Sequence, residues 1–240
     1  MSTHAKETVK RQFKRFTSNN LNIVLLAIAV FVPIIYEGLR FLPVEETMNP
    51  HTFPATFTIV LQDLLGTEGP IAQFAAYYYV VPHLMITALL GPLFFFSKNR
   101  PPWVYMSVGI IIFIIDSIIY IIYPVAPPIR VEGPEVVPIR IEYFPWSEKT
   151  ITAHYSAIPS GHIFISSIGV LISIIERWKK MAALYVANTI IMTIVIVYTG
   201  DHYLIDAILS VIFVVAIYKL VWYIAKKKGF TDHSSLYEGA

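Results

Sequence analysis

The chain has 240 residues, of which 56% are hydrophobic and 14% charged, where an average soluble domain carries about 25% charged residues. That balance excludes an ordinary water-soluble globule and makes a lipid bilayer the expected partner. With a formal charge of only +2 and no cysteine, the composition also argues against nucleic acid as a partner and excludes disulfides, thiolate metal sites and cysteine nucleophiles.

In chain order, residues 1–20 form a basic segment with Lys6, Lys10, Arg11, Lys14 and Arg15, expected in the cytoplasm. The apolar run that follows lacks a small-residue cleavage pattern, so 21–42 reads as a retained first span rather than a signal peptide. Five more stretches approach the roughly 20 residues that a helix needs to cross a bilayer, over 71–96, 103–123, 162–175, 181–198 and 203–224. Within the first long loop, 53–65 is too short to span and apolar enough to lie at the interface as a helix that could line a lipid entrance. The second long loop, 124–160, is rich in proline, charge and aromatic residues and is too long for a simple connection.

Lys98 and Arg100 join the second and third spans, Arg177, Lys179 and Lys180 the fourth and fifth, and Lys226, Lys227 and Lys228 follow the sixth. All fall on the side of the N-terminal segment, so the positive-inside rule puts both termini in the cytoplasm and both long loops outside. The expectation is an all-α bundle of six transmembrane helices with its active site on the outer face of the plasma membrane. Residues 21–228 form the membrane domain and 229–240 a flexible tail.

Three polar elements should converge on that outer face: YPVAPPIR ending at Arg130, HYSAIPSGH from His154 to His162, and TGDHYLID containing His202 and Asp206. His202 and Asp206 stand one helical turn apart on one face. The carboxylate can hold one imidazole nitrogen protonated and leave the other free for attack, or the pair can be a plain salt bridge at a helix start. Ser160 is placed to cap the helix that begins near His162, with Gly161 allowing a phosphate oxygen close to the backbone and His162 as a proton donor. Ordinary capping is the alternative for this tetrapeptide.

Arg130, behind two prolines, suits a phosphate's oxygens, or anchors to a lipid headgroup. Arg140, Lys149 and His154 are weaker candidates for the same task. Asp116, Glu37 and His83 lie in or beside spans and each calls for a partner; His83 reads as a structural hydrogen-bonding residue. Two other classes are open to the same residues. A metalloenzyme could use His162, His202 and Asp206 as a two-histidine, one-carboxylate set, and a transporter could place them along a pathway.

Residues 159–162, PSGH, and the HxxxD of His202 and Asp206 resemble two motifs of the type 2 phosphatidic acid phosphatase superfamily, whose pattern is KxxxxxxRP, PSGH and SRxxxxxHxxxD. The resemblance covers about 103–210. It implies a metal-free, cofactor-free lipid phosphatase or phosphotransferase of six helices, with His202 as nucleophile of a phosphohistidine intermediate, Asp206 as its orienter and His162 as acid for the leaving group. The chain departs from the pattern elsewhere: no lysine lies seven residues before Arg130, Ile129 and Val131 flank it, and Val195 and Ile196 stand where SR would fall. The APP sequence before a basic residue and the GDHYLID form of the third motif are similar to the branch that includes inositol phosphorylceramide synthases, which transfer a phosphoryl-alcohol group to another hydroxyl.

Overall fold

The computed structural model describes residues 7, 9–10, 13–14, 16–17, 20–40, 50–131, 136–150 and 157–229, with 30, 32–40 and 149–150 as backbone alone. His154, Lys6, Arg11 and Arg15, the side chains of Glu37, Arg40 and Lys149, and the expected tail beyond 229 lie outside the described residues. The helices described are α1 Asn20–Arg40, α2 Thr56–Leu65, α3 Pro70–Val80, α4 Pro82–Ala88, α5 Leu90–Phe96, α6 Pro102–Ile122, α7 Ile139–Tyr143, α8 Trp146–Thr150, α9 Gly161–Ile175, α10 Lys179–Tyr198 and α11 Leu204–Lys227, with a 3₁₀ turn at Pro128–Arg130. Among the described residues, extended pairing is confined to one bridge between His51 and Val125.

Four helical stretches are long and apolar enough to cross a membrane: Pro70–Phe96, Pro102–Ile122, Lys179–Tyr198 and Leu204–Lys227. They mark a helical membrane protein. α9 has 15 residues, and the apolar part of α1 with described side chains is Asn20–Ala29. The stretch 71–96, expected as one helix, is broken into α3, α4 and α5. Prolines account for both breaks: Pro82 opens α4 without an N–H to give, and the ring of Pro92 crowds the carbonyl of residue 88, where α4 ends.

One core cluster forms where α6, α9, α10 and α11 meet, around Val104, Val108, Ile112, Phe164, Ile168, Ile172, Tyr185 and Val214, and a second joins α3 and α10 around Ala75, Tyr79, Met192 and Ile196. Gly169 permits the close approach of α9 and α10, because a Cβ there would collide with the Tyr185 ring. Tyr185 then donates its hydroxyl to the Ile86 carbonyl at 2.9 Å, which ties α4 to the same seam.

At one end of the bundle the buried carboxylate of Glu176, just past α9, accepts the backbone N–H groups of Lys98, Asn99 and Arg100 at 2.7–3.2 Å and the Tyr105 hydroxyl at 2.8 Å. The guanidinium of Arg100 lies 3.9 Å over the Trp222 ring. Lys98 and Arg100 therefore gather at this end with Lys226, whose Nζ lies 5.5 Å from the Trp222 ring. Because Glu176→Ala would strand three amides and a hydroxyl, it is expected to cost about 2–3 kcal/mol, read as a lowered unfolding midpoint in detergent; a change below about 0.5 kcal/mol, the usual range for a surface substitution, would remove Glu176 as the knot of this end.

The opposite end is built from loops. Gln62 of α2 donates to the carbonyls of Val137 at 2.8 Å and Tyr198 at 3.0 Å and accepts the Val137 N–H at 3.0 Å. The Tyr198 hydroxyl donates to the Gly66 carbonyl. A short apolar helix is therefore present within 53–65 as α2 and is fastened both to the second loop and to the end of α10.

Candidate functional site

His162 opens α9 and Glu176 follows its end, about 21 Å away at 1.5 Å per residue, so the histidine lies at the loop-built end. The segment 124–126 runs through the centre of this end. His51 exchanges backbone hydrogen bonds with Pro124 and Ala126 at 2.8 and 3.0 Å, and the Ala157 N–H donates to the Val125 carbonyl at 3.1 Å. Val125, just ahead of the APP sequence, thus holds Ala157 in place.

That placement matters because the Ala157 carbonyl lies 2.7 Å from His202 Nδ1. A carbonyl can only accept, so Nδ1 carries a proton, and in the neutral ring the Nε2 lone pair is left available. Asp206 Oδ2 is also near Nδ1, at 3.3 Å, but its shorter bond, 2.7 Å, is accepted from the Tyr203 N–H in a capping box at the start of α11. Asp206 therefore caps the helix start and lies beside His202, while a backbone carbonyl makes the shorter contact to the ring. Nothing in the HxxxD spacing pointed to Ala157.

The rings of His162 and His202 lie 6.0 Å apart in a T-shaped arrangement. Ser160 sits at the N-cap position, but its hydroxyl makes no capping bond. Instead its backbone is clamped by Ser210 of α11, which accepts the Ser160 N–H at 2.9 Å and lies 3.1 Å from its carbonyl. Ser160 Oγ is buried without a hydrogen-bond partner among the described residues. A Cβ built on Gly161 would meet no atom within 4 Å, so there is open space at the start of α9, where helical amides lack intrahelical acceptors.

Arg130 ends the 3₁₀ turn and pairs with Glu148 at 3.0 Å, both groups partly exposed; its Nε is buried without a partner among the described residues. It is held beside the His202 loop, since the Ile129 N–H donates to the Gly200 carbonyl at 3.1 Å. Gly200 takes φ +79°, and a Cβ there would meet Ile129 at 2.5 Å and Val136 at 2.7 Å, so this turn requires glycine.

Arg140, a weak candidate in the sequence, is 1% exposed, and Asp201, 7% exposed, is its main partner. Its Nε donates to Asp201 Oδ2 at 3.1 Å and its Nη2 to Oδ1 at 2.5 Å, a bidentate pair, and Nη1 donates to Ser147 Oγ at 2.5 Å. Thr199 holds Asp201 Oδ2 from the other side at 2.7 Å. Burial alone would pull the guanidinium down, and the Asp201 carboxylate more than reverses this, so Arg140 stays above the usual arginine value. The guanidinium lies 4.8 Å over the Tyr79 ring, which is 4.6 Å from His162.

A closed circuit results: His202 is bonded through the chain to Asp201, which pairs with Arg140, which covers Tyr79, which packs on His162, which faces His202. Of the eight site residues expected from sequence, His162, His202, Asp206, Ser160 and Gly161 come together, Arg130 stands alongside them, and Lys149 and His154 fall outside the described side chains.

Beside this end, the segments 53–58 and 203–208 enclose a cavity of about 380 Å³ lined by Phe53, Phe57, Tyr203, Leu204, Ile205 and Ile208 among others. Phe57 and Ile208 are 62% and 47% exposed, so the cavity opens on the side of the bundle rather than into its core. Its inner wall begins at the residue after His202.

No curated protein and no solved structure matches the chain. The PAP2 superfamily matches it over residues 50–220, from the segment that pairs with Val125 to the middle of α11, and so includes every element of the circuit. The chain belongs to the PAP2 superfamily, whose members are generally phosphatases.

Proposed function

We propose that the chain is a six-span, metal-independent membrane enzyme that transfers the phosphoryl group of a lipid phosphate, diphosphate or phosphodiester through a phosphohistidine on His202. The observation that carries this reading is the 2.7 Å contact of His202 Nδ1 with the Ala157 carbonyl, which in the neutral ring leaves Nε2 nucleophilic on the ring that faces His162. In the first step the Nε2 lone pair forms a bond to phosphorus as the bond to the leaving oxygen breaks, and His162 gives that oxygen its proton. In the second, an incoming hydroxyl attacks phosphorus and passes its proton to His162, and the P–N electron pair returns to Nε2. Water as the attacking group makes a phosphatase; a lipid hydroxyl makes a transferase.

Ser160 Oγ, the amides at the start of α9 and Arg130, drawn away from Glu148, supply donors to the equatorial oxygens, with Lys149 and His154 as further candidates. Each preorganised donor of this kind is worth about 2.7–4 kcal/mol in a transition state. The apolar cavity beside His202 suits a hydrocarbon chain entering from the bilayer, which favours a lipid over a soluble phosphate ester. The gathering of Lys98, Arg100 and Lys226 at the Glu176 end supports a cytoplasmic position for that end and for both termini, and an extracytoplasmic position for the site at the plasma membrane.

The test is phosphorus-product analysis of purified protein in detergent with EDTA, supplied with labelled phosphatidate, isoprenyl diphosphate or phosphatidylinositol, with and without a lipid alcohol. Free phosphate that depends on His202 identifies a phosphatase, and an alcohol-dependent phosphodiester identifies a transferase; no His202-dependent product from any donor sinks the proposal. A finer probe is Gly161→Ala. The added methyl meets no protein atom, so the unfolding midpoint is expected to hold or rise, while kcat falls by about 10- to 100-fold if that space seats the phosphoryl oxygens.

A further inference from the structure

His162 has a second imidazole behind it. His83 of α4 is 1% exposed and its ring centroid lies 5.3 Å from that of His162, in a part of the chain where a polar side chain is costly to bury. It is joined to a cluster made by α3, α9 and α10: Asn188 Nδ2 stands 3.3 Å from His83 Nδ1 and 2.8 Å from Ser166 Oγ, the Tyr78 hydroxyl is 2.9 Å from Asn188 Oδ1, and Ser166 Oγ is 2.7 Å from Thr189 Oγ1. Ser166 lies one turn beyond His162 on the same face of α9.

The hydrogen directions in this cluster can be solved from one end. The Thr189 hydroxyl donates to the Tyr185 carbonyl at 2.8 Å, and a carbonyl only accepts, so the Thr189 hydrogen is used there. Ser166 must therefore donate to Thr189, which leaves Ser166 Oγ able only to accept from Asn188. The amide of Asn188 is thereby oriented with nitrogen toward Ser166 and His83 and oxygen toward Tyr78. Turned the other way it would confront Ser166 with a second acceptor and no hydrogen between them. Both Asn188 amide hydrogens are then committed, and His83 Nδ1 has to accept one of them.

We infer that Asn188 locks His83 as a neutral imidazole protonated on Nε2, and that His83 is a positioning residue for His162, packing against the proton-transfer histidine without placing a second positive charge beside it. The inference rests on the proposed role of His162 as acid and base. The other titratable groups around His83 are Tyr78 and Tyr79 on α3 and Tyr185 on α10, with the permanent charge of Arg140 beyond Tyr79; among the described residues no carboxylate contacts His83 to favour its protonation.

Two measurements test it. In the unmodified protein, nitrogen-15 spectra of the histidine side chains, assigned with His83→Gln, should show His83 with a hydrogen-free Nδ1 and a protonated Nε2 throughout pH 5–8. The opposite tautomer, or a ring that titrates in that range, overturns the lock. In the second, Asn188→Asp replaces the donor by a carboxylate that favours a proton on Nδ1, and the acidic limb of kcat/KM should move upward by about one pH unit. Adding His83→Gln to that variant should move the limb back. A limb that stays put in Asn188→Asp, or a displacement that persists without His83, overturns the positioning role. Wild-type turnover that survives His202→Ala would instead remove the phosphohistidine reading and leave the tautomer result standing on its own.

Discussion

Replacing His202 by alanine is expected to lower turnover by on the order of 10⁴- to 10⁶-fold, the range seen when the nucleophile or its orientation is lost from a concerted constellation. The reason is local. Ala157 holds the Nδ1 side of the ring, which leaves Nε2 as the nucleophilic atom of the neutral imidazole, and His162 lies a ring-to-ring distance of 6.0 Å away, where it cannot take the same position. Asp206→Asn should cost far less in orientation, because the Ala157 carbonyl still holds Nδ1, but it should also lower the unfolding midpoint by loosening the start of α11. Rapid-quench trapping with labelled substrate separates the two histidines. With a substrate whose leaving group needs no proton, acid-labile, base-stable label should accumulate in His162→Ala, where breakdown of the intermediate lacks its base, and be absent in His202→Ala. Label retained in His202→Ala would transfer the nucleophile's role elsewhere.

Much of this was legible in the sequence because it depends on short spacings. Hydropathy gave the apolar helices, PSGH and HxxxD gave the residues at the head of α9 and the head of α11, and the apolar stretch 53–65 announced α2. What was not legible depends on contacts between distant residues. Arg140 and Asp201 are 61 positions apart, and an arginine in a loop that also holds Arg130 and Lys149 has no local mark of being buried. His83 has no motif around it, and its meaning comes from Asn188, 105 residues away. The break of 71–96 into three helices was readable in principle from Pro82 and Pro92, since each lies inside an apolar run where helix propensity alone would have continued. Ala157 is the extreme case: its contribution is a backbone carbonyl, which any residue would supply, so its side chain carries no signal.

Breaking the Arg140–Asp201 pair has the second largest expected effect, and here stability and activity should separate. Arg140→Met leaves a buried carboxylate facing an apolar chain, which is expected to cost about 3–5 kcal/mol, the usual penalty for removing one partner of a buried ion pair. Arg140→Lys should fall between, because an ammonium keeps the charge but not the fork that meets both Asp201 oxygens and Ser147. The double variant Arg140→Met/Asp201→Asn removes the orphaned charge and should recover most of the stability, within about 1–2 kcal/mol of wild type, since neutral replacements of buried pairs are often tolerated. Turnover should not return with it. The pair links the residue before His202 to the Tyr79 ring that packs on His162, so without it the two histidines are no longer referred to one frame, and errors near 1 Å in such placements can cost about 100-fold. Unfolding midpoints and kcat measured on the same three variants decide the matter. Activity that recovers in step with stability would make Arg140 a fold element with no hold on the histidines, and an Arg140→Met variant as stable as wild type would mean that Asp201 finds another partner.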